Sequence, residues 1–272
     1  MEGKFSKGDK ILGLYEIIDI IGKGDFGYVY KVKGIAGRYR GKILALKVAN
    51  DPYSIQYLWK EAQTLILLNH PNIISLQSYL YKKDKKELYL VYEFMDVGDL
   101  RDYVLSKGGL SEEEALKILK HIVNGLCFLH SRGYIHSDIK PENIFGKKVL
   151  NSIVWKLGDF GFIKIRGSVS VIDVKGTVGY IAPEVFRGEI HRASDIYSLG
   201  CLFYFMIMKR DPFDVKDKRE KVKLNKIGKV EIPSSLSDKV KNLMSRMLEV
   251  DISKRFRNAM ELRDFMVKEG VY

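Results

Sequence analysis

The sequence predicts an α+β fold in which an antiparallel sheet comes first and a mostly helical body follows. Three observations predict it. Strand-like runs broken by glycine or polar turns extend to Phe94, apolar residues recur at helical spacing beyond Ser111, and Met95–Asp99 between them has a glycine and no apolar period. That middle stretch suits a connector between two lobes around one cleft.

Taken in order, Tyr15–Ile21, Gly27–Lys33 and Lys42–Ala49 read as three strands in series, separated by glycine-bearing turns. Ile55–Asn69 changes to helical spacing, with Leu58, Ala62, Leu65 and Leu68 near one face, and ends before His70 and Pro71. Leu76–Leu80 and Glu87–Phe94 return to strand character across the polar turn Lys82–Lys86, making five strands and one main helix. Ser111 and Glu114 form a capping box opening a helix to about Ser131, with Ala115, Ile118, Leu119, Ile122, Leu126 and Leu129 as its apolar stripe. Further helices are expected at Ala193–Met208, Asp217–Lys226, Leu236–Leu248 and Ala259–Lys268.

Composition narrows the class. With 272 residues, 46% hydrophobic, 29% charged and only 6 Pro, the chain is neither collagen-like, low-complexity nor mostly disordered. Cys127 and Cys201 sit among apolar neighbours without a pairing spacing, as small buried hydrophobes in a reducing compartment do. The net charge of +12 favours anionic partners, but it is spread: residues 1–92 hold 15 basic and 9 acidic side chains and the other 180 hold 31 and 25, so each part carries +6. Met1–Lys10 lacks the apolar core of a secretory signal. The longest apolar run, Ile196–Met208, has 13 residues, short of the roughly 17 that span a bilayer, and reads as a buried helix.

The segment Ile21-Gly22-Lys23-Gly24-Asp25-Phe26-Gly27-Tyr28-Val29 sets three glycines between two strands, where missing side chains let backbone amides approach phosphate oxygens. A dinucleotide site would need a helix after the glycines, yet Tyr28–Val32 reads as strand. The lysine-serine or lysine-threonine ending of an ATPase phosphate loop is also missing. By itself the segment is equally a plain glycine-rich hairpin.

The residues C-terminal to it give it meaning: Leu46-Lys47 preceded by Leu44-Ala45, a helix glutamate Glu61, His136-Ser137-Asp138, Asp159-Phe160-Gly161 and Ala182-Pro183-Glu184. This ordered set resembles that of eukaryotic-type protein kinases, from about Tyr15 through Arg255. The resemblance implies a bilobal kinase-like fold in a single domain, 1–272, with an N-lobe at 1–94, a hinge at 95–99 and a C-lobe at 100–272. It further implies ATP and Mg²⁺ as cofactors and proteins with serine or threonine acceptors as partners, Lys140 marking the serine/threonine branch.

Roles come from the same resemblance. Lys47 contacts the α and β phosphates and pairs with Glu61; in isolation it is as readily a snorkelling strand lysine, and Glu61 an exposed helix acid. Adenine lies between Ile21, Val29, Ala45 and Phe145, its edge read by the backbone of Glu93–Met95, with Tyr92 narrowing the rear of the pocket. Gly22, Gly24 and Gly27 cover the phosphates. Asp138 orients the acceptor hydroxyl and takes its proton, Lys140 neutralises the transferred group, and Asn143 and Asp159 are hard oxygen ligands for Mg²⁺. His136 supports its loop, and Leu65, Leu76, His136 and Phe160 form an inner column anchored by Asp195. Thr177, in Gly176–Tyr180, bonds near Asp138 and Lys140, and Glu184 and Arg255 make a buried ion pair.

Three departures stand out. Ser137 replaces the usual arginine, which in relatives holds a phosphate on the activation segment, so activity is expected not to need that phosphorylation although Ser168, Ser170 and Thr177 offer hydroxyls. Gly146–Ser152 is lengthened into a hairpin with solvent-facing Lys147 and Lys148, and Gly158 adds backbone freedom before Asp159. Asp99 and Glu142 match positions that contact basic residues flanking the acceptor in some relatives, but Phe205 leaves a third such position without an acid. Basic flanking residues in the substrate and ordinary capping or surface roles for the two acids both remain open.

The expected activity is therefore ATP-dependent phosphorylation of protein serine or threonine, with a pseudokinase scaffold as the alternative from another class. The peptide platform Gly176–Glu184 speaks against small-molecule phosphotransfer, and diffuse charge against specific nucleic-acid binding. No membrane insertion and no separate recruitment domain after the last helix are expected, and residence is expected inside the cell, in cytoplasm or nucleus; oligomeric state is not legible.

Overall fold

The computed structural model describes residues 3–24, 26–49, 51–165 and 177–272. The chain divides into two compact units, Met1–Asp96 and Val97–Tyr272.

In the first unit the strands are β1 (Lys10–Ile11), β2 (Tyr15–Gly24), β3 (Gly27–Gly34), β4 (Ile43–Ala49), β5 (Leu76–Lys82) and β6 (Glu87–Glu93), in the sheet order β1-β2-β3-β4-β6-β5. All neighbours run antiparallel. The five expected strands are present and a sixth joins them: β1 is too short for a periodic signal and exists because Lys10 and Ile11 pair with Glu16 and Tyr15. Alternation dictates the packing. Tyr15 and Ile17, Tyr30 and Val32, Leu44, Leu46 and Val48, and Tyr89 and Val91 recur at period two and bury one face as a single cluster. Helix α1 (Pro52–Leu65) packs on β4, β5 and β6. It starts ahead of the expected Ile55 because the Asp51 side chain accepts from the Ser54 amide at 3.0 Å and Pro52 preorganises the first turn. It stops at Leu65, short of the expected Asn69.

Gly27 illustrates a backbone requirement. Its φ is +132°, and a Cβ there would lie 2.0 Å from the Val48 carbonyl oxygen on β4. Gly27→Ala is expected to cost about 2 kcal/mol or more and to lower the melting temperature by about 4 to 8 °C in a thermal scan. An unshifted melting curve would show that β4 yields without cost.

The second unit begins with β7 (Gly98–Asp99) and α2 (Leu100–Lys107), continues through α3 (Glu112–Ser131), β8 (Tyr134–Ile135), β9 (Ile144–Val149), β10 (Ser152–Leu157) and β11 (Lys164–Ile165), and ends with α4 (Arg192–Met208), α5 (Lys218–Ile227), α6 (Asp238–Met247) and α7 (Ala259–Lys268). The Ser111–Glu114 capping box opens α3. Helix α4, which holds the longest apolar run, is buried nearly all round, as an interior helix must be. Gly200 brings it against the end of α6, where a Cβ would meet Met247 at 3.0 Å and Leu248, the residue after the helix, at 2.9 Å. Cys127 and Cys201 are buried free thiols; burial pushes the Cys127 thiol up to about 11 and that of Cys201 further.

Helix α2 forms where the sequence pattern shows no helix, and the hairpin expected at Gly146–Ser152 is longer, running through β9 and β10. The eight residues of α2 are held by the Asp99 cap at one end and by left-handed Gly108 at the other. In the hairpin, Ile144 pairs with Leu157 and Val149 with Ser152 around a two-residue turn at Leu150 and Asn151. Trp155 fixes it on α3, its amide donating to His121 Nδ1 at 3.3 Å, and stacks edge-on to Tyr103 of α2. Lys148 is exposed as expected, whereas Lys147 is half-buried. Among the described residues no helix is long and apolar enough to cross a membrane.

Candidate active site

Strand pairing brings five of the singled-out residues onto one sheet face. Gly22 lies opposite Val29, Val29 opposite Lys47, and Ala45 opposite Tyr92, so Gly22, Val29, Ala45, Lys47 and Tyr92 share the face that α1 covers, away from the large apolar cluster. On that face Lys47 Nζ donates to Glu61 Oε2 at 2.9 Å, with the acid 2% exposed and the lysine 15%. A charged lysine at a strand centre is tolerable because this partner offsets its lost hydration. Gly24 closes the β2–β3 hairpin opposite Gly27, and the Phe26 ring stacks on Tyr57 of α1 with centroids 3.5 Å apart and planes 10° from parallel. Ile21 follows a register shift in β2 and is 45% exposed, while Ala45 and Met95 are buried. Glu93 is pinned at the end of β6: its amide donates to the Ser75 carbonyl at 3.1 Å and its carboxylate accepts from the Ser75 amide at 2.9 Å.

The second unit assembles the others around one carboxylate. Asp138, 5% exposed, receives hydrogen bonds at Oδ2 from Asn143 Nδ2 at 2.8 Å and at Oδ1 from the Thr177 hydroxyl at 3.3 Å, with Lys140 Nζ 3.2 Å from Oδ2. Lys140 Nζ also donates to Thr177 Oγ1 at 2.7 Å, tying residue 177 to the loop. The loop itself is held from below. Asp195 accepts from the His136 amide at 2.8 Å, the Ser137 amide at 2.9 Å and His130 Nε2 at 2.9 Å, a fully buried carboxylate with three donors. His136 Nδ1 accepts from the Asp138 amide at 3.4 Å and its Nε2 faces the Gly158 carbonyl at 3.1 Å, so the ring proton sits on Nε2 and the residue is a spacer. Phe160, fully buried, lies 5.1 Å from that ring, placing His136, Phe160 and Asp195 together; Leu65 and Leu76 belong to the first unit.

The β9–β10 hairpin unites the two metal candidates. Because Ile144 pairs with Leu157, Asn143 and Asp159 flank its open end, opposite the turn, and the Gly158 amide donates to the Asn143 carbonyl at 2.8 Å. With Nδ2 of Asn143 turned to Asp138, its amide oxygen points the other way. One amide and one carboxylate oxygen fit Mg²⁺, which takes the rest of its shell from phosphate and water. No group of three or more His, Cys, Asp or Glu side chains suited to a metal gathers among the described residues. Gly158 serves proximity, not the backbone freedom expected of it: a Cβ would lie 2.7 Å from the Phe145 ring, whereas the positive φ, 58°, belongs to Asp159.

The sequence from Tyr15 to Asp264 matches the family model for the protein kinase domain, residues 15–264. The chain belongs to the protein kinase family. The kinase is 36% identical over 254 residues to a probable myosin light chain kinase of Dictyostelium discoideum, covering 90% of this chain and 52% of that one. It is 34% identical to calcium-dependent protein kinase 5 of Plasmodium falciparum (91% and 44% covered) and 32% identical to the SNF-related serine/threonine-protein kinase of Homo sapiens (90% and 32%). The kinase thus spans about half or less of these relatives' length.

The expected buried pair is formed: Arg255 Nη1 and Nη2 meet Glu184 Oε1 and Oε2 at 2.8 and 3.2 Å, both residues 1% exposed. Of the two acids with open roles, Asp99 caps α2, accepting from the Asp102 amide at 3.0 Å, and Glu142 pairs with Arg101. Arg101, Tyr180 and Asp211 form a network that sequence reasoning missed, since α2 carries too short an apolar pattern to be read. Within it the Asp211 carboxyl is raised by burial, but bonds from Tyr180 and Arg101 outweigh that and hold it below the usual carboxylate range. Its contribution to stability is therefore complete above the ordinary carboxylate pKa and is lost as pH falls through the depressed folded value. Ser168, Ser170 and Gly176 lie outside the described residues.

Proposed function

We propose that this kinase domain transfers the ATP γ-phosphate to serine and threonine hydroxyls of proteins. The observation that carries the reading is the Asp138 carboxylate, held at once by Asn143, Lys140 and Thr177. The acceptor oxygen forms a bond to the γ-phosphorus, the bond from that phosphorus to the β-phosphate oxygen breaks, and the hydroxyl proton passes to Asp138. Lys140 offsets charge on the moving phosphoryl group, and Lys47, braced by Glu61, holds the α and β phosphates. Asn143 and Asp159 would hold Mg²⁺, which supplies charge neutralisation on the phosphates. The family resemblance assigns adenine contacts to Ile21, Val29 and Ala45 of the first unit and to Phe145 of the second, edge recognition to the backbone of Glu93 and Met95, and the phosphates to the side-chain-free Gly22, Gly24 and Gly27. The test is transfer from radiolabelled ATP to a library of serine and threonine peptides with Mg²⁺ present and then chelated. Metal-dependent labelling is expected; silence across the library would favour a scaffold that binds partners without turnover.

Turnover is further inferred not to depend on activation-segment phosphorylation. Ser137 has no cationic fork to hold a phosphate; its φ is 69°, and its hydroxyl is buried without a hydrogen-bond partner among the described residues. Phosphatase-treated enzyme is expected to keep turnover within about twofold of the untreated protein. A tenfold loss overturns this inference.

A further inference from the structure

Arg101, the second residue of α2, reaches into a group of acids beside the Asp138 loop. Its Nε meets Glu142, its Nη2 lies 3.0 Å from both the Tyr180 hydroxyl and Asp211 Oδ1, and its guanidinium carbon sits 4.5 Å from the centroid of the buried Phe205 ring. Tyr180 donates to Asp211 Oδ1 at 2.6 Å and Lys221 Nζ is 3.4 Å from Oδ2. Asp99 is close enough to feel the group: its carboxyl is raised, first by burial and in part by the charges of Asp102 and Glu142. Glu142 and Asp211 thus share Arg101 while Lys221 reaches Asp211 alone, so without Arg101 Glu142 would have no cation partner among the described residues. Glu142 lies in the 3₁₀ turn Pro141–Asn143, directly before the Asn143 that bonds Asp138, so the notch borders the acceptor position.

The Arg255–Glu184 pair in the same unit shows what a structural ion pair looks like here. Arg255 has a side chain 0% exposed, and Glu184 accepts from it through both oxygens. Arg101 is different: 25% exposed, divided among three partners, and leaving Glu142 Oε2 buried without a hydrogen-bond partner among the described residues. An aromatic floor, carboxylates at its edge and an opening to solvent are the chemistry that recognises an arginine side chain. In this chain the arginine is supplied internally.

We propose that Arg101 plugs an arginine-recognition notch and so sets substrate choice, leaving the kinase without gain from an arginine upstream of the acceptor. This deepens the protein-kinase reading and rests on it. The test compares a neutral serine peptide with versions carrying arginine at each upstream position in turn, for wild type, Arg101→Ala and Arg101→Ala/Glu142→Gln. Wild type is expected to show kcat/KM ratios within about twofold of one; Arg101→Ala raises the ratio about tenfold at one position, mainly through KM, and the double variant loses the gain. Fluorescence anisotropy of the labelled arginine and neutral peptides, without ATP, should give the same order. A protein that binds in this order but transfers no phosphate thus separates this proposal from the catalytic one. A structural arginine would lower the melting temperature and leave the peptide ratio flat, which overturns the proposal, as does a wild-type preference for arginine. Arg101→Gln replaces the alanine variant if the latter does not fold.

Discussion

Asp138→Asn is expected to lower kcat by about 10² to 10⁴-fold, the contribution of a positioned general base, while changing the KM for ATP by less than about threefold. The substitution is close to isosteric, and its hydrogen bonds can be kept. The amide oxygen can face Asn143 Nδ2 and Lys140 Nζ, which lie 2.8 and 3.2 Å from the present Oδ2. The amide NH₂ then faces Thr177 Oγ1, 3.3 Å from the present Oδ1, and the threonine hydroxyl accepts where it had donated. Only proton-accepting ability and one negative charge are removed, so unfolding should shift little and the loss should appear in turnover. Steady-state kinetics with a phosphorylatable peptide provide the measurement. A variant retaining a tenth or more of wild-type kcat would remove Asp138 from the role proposed for it.

Arg255→Ala should be the most destabilising substitution considered, at about 3 to 5 kcal/mol, because it leaves the Glu184 carboxylate buried without its cation. The arginine also donates from Nε to the Glu249 carbonyl at 2.8 Å and from Nη1 to the Ala193 carbonyl at 3.0 Å, so two backbone acceptors lose a partner as well. Only the Ser194 hydroxyl, 2.7 Å from Glu184 Oε1, remains on the acid among the described residues. A fall of about 10 °C or more in melting temperature is expected from calorimetry. Arg255→Met with Glu184→Leu removes both charges together and should lose less than Arg255→Ala alone, since no ion is stranded. An unfolding temperature unchanged in Arg255→Ala would mean that Glu184 is relieved by water or by protonation.

The motifs are legible because their residues and order, from Lys47 and Glu61 through Asp138 and Asn143 to Asp159, resemble those of the protein kinases. Lys47 meets Glu61, and Thr177 lies beside Asp138 and Lys140, as the resemblance implies; the bond from Asn143 to Asp138 is not announced by the sequence and comes from the fold. Strands of seven to ten residues are legible from alternation, whereas the two-residue β1 is not, since a strand that short is defined only by its neighbour. The start of α1 is written in Asp51-Pro52, a cap followed by a first-turn proline, a signal that apolar spacing alone overlooks. Helix α2 is short and weakly amphipathic, with Leu100 and Val104 as its buried residues, too few for a period to show.

Local structure and the inventory of chemical groups were set by the amino-acid order alone, since propensity, capping and residue spacing act over a few neighbours in the chain. Which of those groups meet was settled in three dimensions. Arg101 lies 41 positions from Glu142 and 110 from Asp211, and nothing near any of the three announces the others. An ion pair depends on distance in space, and packing, not spacing along the chain, sets that distance.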